Sequence, residues 1–484
     1  MEKVTSTQFA SSALWRFVDV ISRKVVTLFI SILIARLVAP EAYGVVALTM
    51  IFIVFSDIFI LNGFNVALIR KENTNPIDYS TVMTMSLSFS LFMYVIIWIL
   101  APLFSDFYES IELCPVLRSI TLLLFFESVS SVIRAKATRE MQFKKMTIAA
   151  FTASFVSGVI ALVLAYMDAG VWALVIQQVS SNMIEMIMLL IVFRWKMSFK
   201  FSSDVARSMT RFTVGVLGTS FLDFLGNNFT NLIVGKAYST KDLGYMNRAN
   251  ILPETVGLNA YNSINSVLLP TLSSRQNSDE EMKSVLRSVM AITMYMILPM
   301  MLGLIGIANV LIPVLLTDKW VPSIPLMYFC CLYYAVNPIR AIGYSVFYAK
   351  GQSRYSVQVE VLRSFLMVAG VLLVVILQLS LLFVLLSSFI VSLVVALTTH
   401  YKVRGLLDYT FAELWMDIRP SFLMSIVMCV VIFMIGMIPW AQIIILILQV
   451  VAGAVIYILL SHLTKNNNYA IAKGYLLDKF VKRQ

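Results

Sequence analysis

Apolar runs of about 20 residues recur along the whole chain, each long enough to cross the hydrocarbon core of a membrane as a helix. Short polar or basic connections separate these runs, and the longest, residues 194–211, has 18 residues. Apolar residues make up 60% of the sequence and charged residues 13%, far from the balance of soluble domains. We therefore predict an integral membrane protein without a separate soluble domain.

The pattern predicts an all-α, polytopic fold, because lipid-exposed backbone must satisfy its own hydrogen bonds and the runs lack the alternation of outer-membrane strands. The N-terminus is expected to be mature sequence rather than a cleaved signal. The fourteen predicted spans are residues 12–38, 43–69, 79–103, 114–134, 146–167, 170–193, 209–237, 243–272, 285–316, 322–348, 357–377, 380–401, 419–438 and 441–463.

Basic residues in the connections indicate the orientation of the chain. With the N-terminus inside, 30 Lys and Arg residues fall on the cytoplasmic side and five on the outer side. Both termini are therefore expected in the cytoplasm. This excess of basic residues on the cytoplasmic side accounts for most of the net charge of +11, since membrane insertion and the anionic lipids of the inner leaflet favour it. Nucleic acid is therefore not an expected partner.

Chemistry-bearing motifs are missing from the sequence. The four cysteines and two histidines show no metal-binding or redox spacing, so neither a metal nor another cofactor is expected. No nucleophile motif, Walker sequence or glycine-rich phosphate loop is present, which predicts no catalytic residues and no enzymatic activity. A driving force would come from an ion gradient, the membrane potential or the supply of substrate.

Three matches in the same order suggest an internal repeat. "ARLVAPEAYG" from residue 35 matches "GKAYSTKDLG" from 235, "LAPLFSD" from 100 matches "LIPVLLTD" from 311, and Ala135-Lys136 matches Ala349-Lys350. An even number of spans between matches makes the repeat parallel. We predict two six-helix lobes, residues 1–195 and 196–403, facing a central cleft, with two additional helices and a cytoplasmic tail in residues 404–484.

A polar stripe interrupts the apolar run that contains "DFLGNNFTN". Asp223, Asn227 and Asn231 recur every four residues, which places them on one face of a helix. The repeat superposes Asp223 on Arg23 of the first span, whose polar residues also share one face. Both faces are expected to line a water-filled cleft, although hydrogen bonds between packed helices would also explain polar side chains here.

A charge inside a membrane span is energetically costly, so it marks a transport pathway more often than a simple contact between packed helices. The cations are Arg16, Arg23, Arg248 and Arg340, with snorkelling to the interface as the alternative for the first two. Carboxylates that could couple an ion or pair with arginine are Asp19, Asp57, Asp223 and Glu254, with Glu127 and Glu360 as further candidates. Asn250 joins the polar residues of a span in which Pro253 could bend the helix.

The segments "LIARLVAPEAYGVVAL", "AKATREMQFKKM" and "AKGQSRYS", together with the fourteen spans, resemble the Wzx-type polysaccharide transporters of the multidrug/oligosaccharidyl-lipid/polysaccharide flippase superfamily. The resemblance implies alternating access in a bacterial cytoplasmic (inner) membrane. The substrate would be an undecaprenyl-diphosphate-linked oligosaccharide, moved to the periplasmic leaflet for O-antigen, capsule or exopolysaccharide assembly. Protons or sodium ions, a polysaccharide polymerase and glycosyltransferases are the implied partners.

Arginine suits a diphosphate headgroup because its planar fork donates to two oxygens at once. From charge and symmetry, Arg16, Arg23, Arg248 and Arg340 are expected to contact the headgroup, with Asp223 and Arg23 as a gating pair. A lipid II flippase, a cation-coupled multidrug exporter and a membrane scaffold for glycosyltransferases remain alternatives. The exporter would favour an acidic cavity, and the scaffold would tolerate neutralisation of every cavity charge.

Overall fold

The computed structural model describes residues 26–60, 68, 71, 74–276 and 278–464. At residues 211–223, 225, 227 and 258–267 the description covers the helical backbone without the side chains. Regular structure within these ranges is helical, which confirms the all-α prediction. The chain divides into two compact units with the boundary between Gly244 and Tyr245. The predicted six-helix lobes use different boundaries and stay a prediction.

The first unit contains eight described helices and the start of a ninth. They are α1 Val26–Leu37, α2 Pro40–Asp57, α3 Pro76–Phe107, α4 Leu113–Ile120, α5 Leu123–Arg139, α6 Phe143–Tyr166, α7 Val171–Val192 and α8 Ser203–Ala237. Helix α9, Thr240–Ser273, begins here and continues into the second unit. Helices α6 and α7 pack along one another, and α5 packs against α3 and α7.

The second unit continues with longer helices. They are α10 Asp279–Leu316, a 3-10 helix Asp318–Ser323, α11 Ile324–Ala349, α12 Ser353–Ile376, α13 Leu381–Leu407, α14 Phe411–Ile435 and α15 Gln442–Leu463. Helix α10 packs against α11 and α14, and α13 packs against α11 and α12. The additional C-terminal pair, α14 and α15, therefore rests on α10.

Ten helical segments among the described residues are long and apolar enough to cross a membrane, so the chain is a multi-pass membrane protein. One of them, Leu113–Arg139, joins α4 and α5, although the sequence predicted a single unbroken helix there. Helices α8, α9 and α11 are long but fall outside the ten. These three carry polar or charged residues that the sequence singled out, including Asn231, Glu254 and Arg340, and the count of fourteen spans stays a prediction.

Local sequence signals set several helix starts. Asn75 and Asp78 form a capping box at α3, where the backbone N–H of Asn75 donates to Asp78 Oδ2 at 2.8 Å. Thr410 and Glu413 form the same motif at α14, with Glu413 N–H donating to Thr410 Oγ1 at 3.2 Å. Each box satisfies backbone donors that a helix start leaves open, so these starts follow directly from the sequence.

The first turns of helices α2 and α9 press against each other through two glycines. A Cβ on Gly44 would lie 1.7 Å from the carbonyl oxygen of Thr240, and one on Gly244 would lie 2.0 Å from that of Pro40. Both contacts lie within the first unit and require the absence of a side chain. Pro40 and Thr240 are 200 positions apart in the sequence, and so are Gly44 and Gly244. The two segments that matched in sequence therefore make reciprocal contacts.

Candidate functional site

Polar side chains form a stripe along α11. Tyr333, Asn337, Arg340 and Tyr344 are spaced by four, three and four residues, which puts them on one helical face. Each of them is half-buried, whereas their helical neighbours Ala341, Ile342 and Val346 are buried. Helix α11 therefore carries a partly exposed face that bears tyrosine, asparagine and arginine side chains.

Glu360 of α12 is shared by two arginines, and we call Arg340, Glu360 and Arg363 the cationic cluster. Arg363 Nε donates to Glu360 Oε1 at 2.6 Å, and Arg340 Nη1 donates to Oε2 at 3.3 Å. The hydroxyl of Tyr344 also donates to Oε2, at 2.9 Å. Within this cluster, two guanidinium groups face one carboxylate, so positive charge exceeds negative charge by one.

Arg340 occupies the more accessible edge of the cationic cluster. Its Nη2 and Nε donate to Asn337 Oδ1 at 2.9 and 3.2 Å, and its Cζ lies 5.3 Å from the centroid of the Tyr344 ring. Its side chain is 22% exposed, compared with 7% for Arg363. Arg363 is thus held by Glu360 in the interior, while Arg340 divides its bonds between Glu360 and a neutral amide.

A second cluster with the opposite balance lies in the first unit, and we call Asp57, Glu127, Arg134 and Glu185 the acidic cluster. Arg134 Nη1 donates to Glu185 Oε1 of α7 at 2.9 Å, and Nη2 donates to Glu127 Oε1. Asp57 of α2 interacts electrostatically with Glu127 and Arg134. Two carboxyl groups therefore bond one guanidinium and a third interacts with it electrostatically, within membrane-spanning segments, where unbalanced charge is expensive.

Local sequence places the members of the acidic cluster. Glu127 and Arg134 are seven residues apart on α5, which is two helical turns, so their side chains share a face. Residues 58–60, directly after Asp57, form a π-turn. Such turns widen a helix locally and are frequent at functional sites. The arrangement holds one arginine between carboxylates from two helices, with a third acid beside them.

Several predicted site residues lie beyond what the structure describes. Arg16, Asp19 and Arg23 are outside the described residues. Asp223 and Asn227 lie on α8, but their side chains are outside the described part. Their roles in substrate binding, gating and cavity lining therefore stay predictions. Asn231, the next member of that stripe, is half-buried on α8.

Three predicted residues lie close together in sequence on α9. The Nδ2 of Asn250 donates to Glu254 Oε2 at 2.8 Å, so the structure brings these two together. Arg248 is only 6% exposed, and its Cζ lies 5.7 Å from the centroid of the Trp320 ring. The structure thus places Arg248 against an aromatic side chain of the 3-10 helix, and its predicted contact with substrate stays untested.

Sequence reasoning did not single out Arg134, Glu185, Asn337 and Arg363. Neither Arg134 nor Arg363 was among the predicted intramembrane cations, and the structure places both inside helices. Charge spacing held the missing signal. Glu127 with Arg134 and Glu360 with Arg363 are seven and three residues apart, distances that place opposite charges on one helical face.

The fold and the charged interior define a multi-pass helical membrane protein. The structure is similar to that of the lipid II flippase MurJ in an inward closed conformation, with a TM-score of 0.73, 15% identity, and coverage of 93% of this chain and 98% of that one. It is also similar to an inward-facing multidrug resistance MATE family transporter of the MOP superfamily, with a TM-score of 0.60, 15% identity, and coverage of 80% and 96%. At these identities the similarity concerns the fold.

A family model described as "Polysaccharide biosynthesis protein" matches residues 33–325, so the chain belongs to this family. The succinoglycan biosynthesis transport protein ExoT of Rhizobium meliloti is 24% identical over 298 residues, and the match covers 61% of this chain and 60% of that protein. The lipopolysaccharide biosynthesis protein WzxC of Escherichia coli is 19% identical over 354 residues, covering 70% and 69%. The chain thus matches about three fifths of the length of the succinoglycan relative.

Proposed function

We propose that the protein is a flippase that moves an undecaprenyl-diphosphate-linked oligosaccharide from the cytoplasmic to the periplasmic leaflet of a bacterial inner membrane by alternating access. Membership of the polysaccharide biosynthesis family and the succinoglycan and lipopolysaccharide names of its relatives support this substrate class. The flippase-like fold supports the movement of a lipid-linked molecule. Glycosyltransferases would supply the substrate, and a polymerase would consume it.

The arrangement of Arg340 is the observation that carries the proposal. A diphosphate needs a charged fork donor, and Arg340 offers one on the half-buried face of α11. Its link to Glu360 is a single contact of 3.3 Å, whereas Arg363 holds the same carboxylate at 2.6 Å. Arg340 can therefore turn toward a phosphate while Glu360 keeps Arg363 and the Tyr344 hydroxyl as partners.

Other cations complete the proposed headgroup site. Arg16 and Arg23 retain this role from the charge pattern of the first span. Arg248 takes part only if it leaves its position against Trp320, because its exposed fraction is 6% here. We therefore rank Arg340 first among the proposed substrate-binding residues.

We propose that the acidic cluster couples transport to protons. Arg134 already donates hydrogen bonds to Glu127 and Glu185. Asp57 therefore adds a further negative charge near them within the membrane. A bound proton on this group of carboxyls lowers the cost of that excess. Asp57→Asn would keep the shape and remove the titratable group, and it should abolish any dependence of transport on a proton gradient.

The central test measures flipping of lipid-linked oligosaccharide in vesicles that contain the full-length protein. Arg340→Gln should lower the rate by about tenfold or more, since a hydrogen bond to a charged group contributes about 1.5 to 3 kcal/mol. Arg340→Lys should retain part of the activity. The control is Arg354→Gln, which removes an exposed arginine near the start of α12.

Unchanged flipping by Arg340→Gln would remove this residue from the site. The same vesicles loaded with lipid II instead of the oligosaccharide lipid distinguish the two flippase substrates. A preference for lipid II would overturn the proposed substrate while leaving the flippase mechanism intact. Export of organic cations without lipid movement would favour the multidrug alternative.

A further inference from the structure

The connection between α7 and α8 carries a strict two-residue alternation. Apolar residues stand at 195, 197, 199 and 201 in "RWKMSFKF", and basic or small polar residues stand between them. Residues 195–202 contain no helix in the structure. In extended backbone, successive side chains point to opposite sides, so this connection, which we call the strap, has an apolar side and a basic side.

Hydrogen bonds hold the strap against the end of a membrane-spanning helix. The Oγ of Ser80 lies 2.6 Å from the carbonyl oxygen of Ser198 and 2.7 Å from that of Lys200. The backbone N–H of Ser202 donates to Thr81 Oγ1 at 3.1 Å. Ser80 and Thr81 lie in the first two turns of α3, an apolar helix that spans the membrane. The strap therefore lies at the depth of the membrane interface.

The apolar side of the strap is only partly covered by protein. Trp195 packs edge-on against Tyr79 with ring centroids 6.0 Å apart. In contrast, Met197, Phe199 and Phe201 are 43%, 65% and 53% exposed. Phenylalanine on the apolar side of a basic interfacial segment characteristically inserts at the boundary between headgroups and acyl chains. The exposed aromatic residues are thus positioned to enter the boundary between headgroups and acyl chains.

Positive charge gathers around the strap from three elements. Arg194, Lys196 and Lys200 belong to the strap and are exposed. Lys136 of α5 places its Nζ 5.3 Å from the ring centroid of Trp195, and Lys145 of α6 lies at the same distance from Phe193. Glu140 forms an ion pair with Lys136 at 3.7 Å, and Asp204 follows Lys200 by four residues, so two acids stand near five cations. Positive charge therefore dominates this surface.

We propose that the strap binds anionic phospholipid headgroups, with Phe199 and Phe201 inserted at the membrane interface and Lys196 and Lys200 contacting phosphate. The charge of the surface selects an anionic lipid, and its depth and exposed aromatic residues select a membrane over a soluble anion. This inference does not depend on the proposed transport substrate. Because the strap connects the two predicted lobes, lipid binding there would make this connection sensitive to the lipid composition of the membrane.

The test uses the full-length protein in neutral detergent and titrates lipids with fluorescent acyl chains. Wild-type protein should bind phosphatidylglycerol more tightly than phosphatidylcholine. The double variant K196Q/K200Q should bind phosphatidylglycerol at least about fivefold more weakly, the effect expected from losing one or two interfacial cations. Its binding of phosphatidylcholine should not change.

A matched control, R354Q/R404Q, removes two exposed arginines, one near the start of α12 and one near the end of α13, and should leave both affinities unchanged. The variant F199S/F201S keeps the basic residues, and it should weaken binding of both lipids. Thermal unfolding of each variant checks that the protein is folded. Equal affinity of wild-type protein for the two lipids would overturn the proposal, and so would an equal loss of phosphatidylglycerol binding in the control.

Discussion

The acidic cluster of the first unit and the cationic cluster of the second follow the same plan with opposite charges. Arg134 is the shared residue of the first, bonded to Glu127 and Glu185, and Glu360 is the shared residue of the second. In both clusters the shared residue is bonded from two sides, and in the cationic cluster one of its two partners, Arg340, is clearly more exposed than the other, Arg363. The comparison suggests that shared residues maintain the fold and edge residues serve transport.

The largest effect should come from removing the shared arginine. Arg134→Gln leaves Glu127 and Glu185, which are only 14% and 12% exposed, without their common cation, and an ion pair broken in this way costs on the order of 3 to 5 kcal/mol. We expect a marked loss of stability and yield in denaturant unfolding of the detergent-solubilised protein. Arg118→Gln, at an arginine stacked 4.0 Å from the Trp98 ring centroid, is the control. Equal stability of the two variants would contradict the assigned role of Arg134.

Removing the shared carboxylate should have a smaller effect. In Glu360→Gln, the amide oxygen can still accept one hydrogen bond, and Arg340 keeps its contacts with Asn337. The expected loss is about 1.5 to 3 kcal/mol, the contribution of a hydrogen bond to a charged group. The double variant Glu360→Gln with Arg363→Gln should recover part of this stability, because it removes a cation along with its partner. Additive losses would show that the two residues are not coupled.

Removing the edge residue of the cationic cluster should separate stability from transport. Arg340→Gln should change the free energy of unfolding by no more than about 1 kcal/mol, because Glu360 keeps Arg363. The same variant should lose most of its transport activity under the proposed function. A large stability loss would place Arg340 among the structural residues, and the comparison between shared and edge residues would fail.

The smallest effect on stability is expected from an exposed ion pair outside the two clusters. Lys236 Nζ lies 2.8 Å from Glu109 Oε1, and its hydrogen bond and charge lower the pKa of the Glu109 carboxyl. A lowered pKa stabilises the fold at neutral pH, and this stabilisation is lost as the pH falls through and below the ordinary glutamate value of roughly 4. Lys236→Gln should therefore slightly lower the unfolding temperature at pH 7 but not at acidic pH. A difference that persists at acidic pH would indicate another cause, such as the contact of Lys236 with the Phe107 ring.

The sequence by itself determined the class of protein and most helices. Membrane spans follow from hydropathy along a continuous run, and capping residues such as Asn75 and Thr410 act within one helical turn, so both signals are local. The match between the turns at Gly44 and Gly244 was also visible in sequence. Their reciprocal backbone contact appeared only when the two segments were brought together.

Only the tertiary structure decided which charges meet. Glu185 reaches Arg134 across 51 residues of sequence, and Arg340 reaches Glu360 from a different helix, so no local pattern could pair them. Arg248 shows the converse: the sequence indicated an intramembrane cation, and packing placed it against Trp320. A charge inside a membrane protein is stabilised by whichever partner the helix packing supplies, and that packing depends on contacts far apart in the chain.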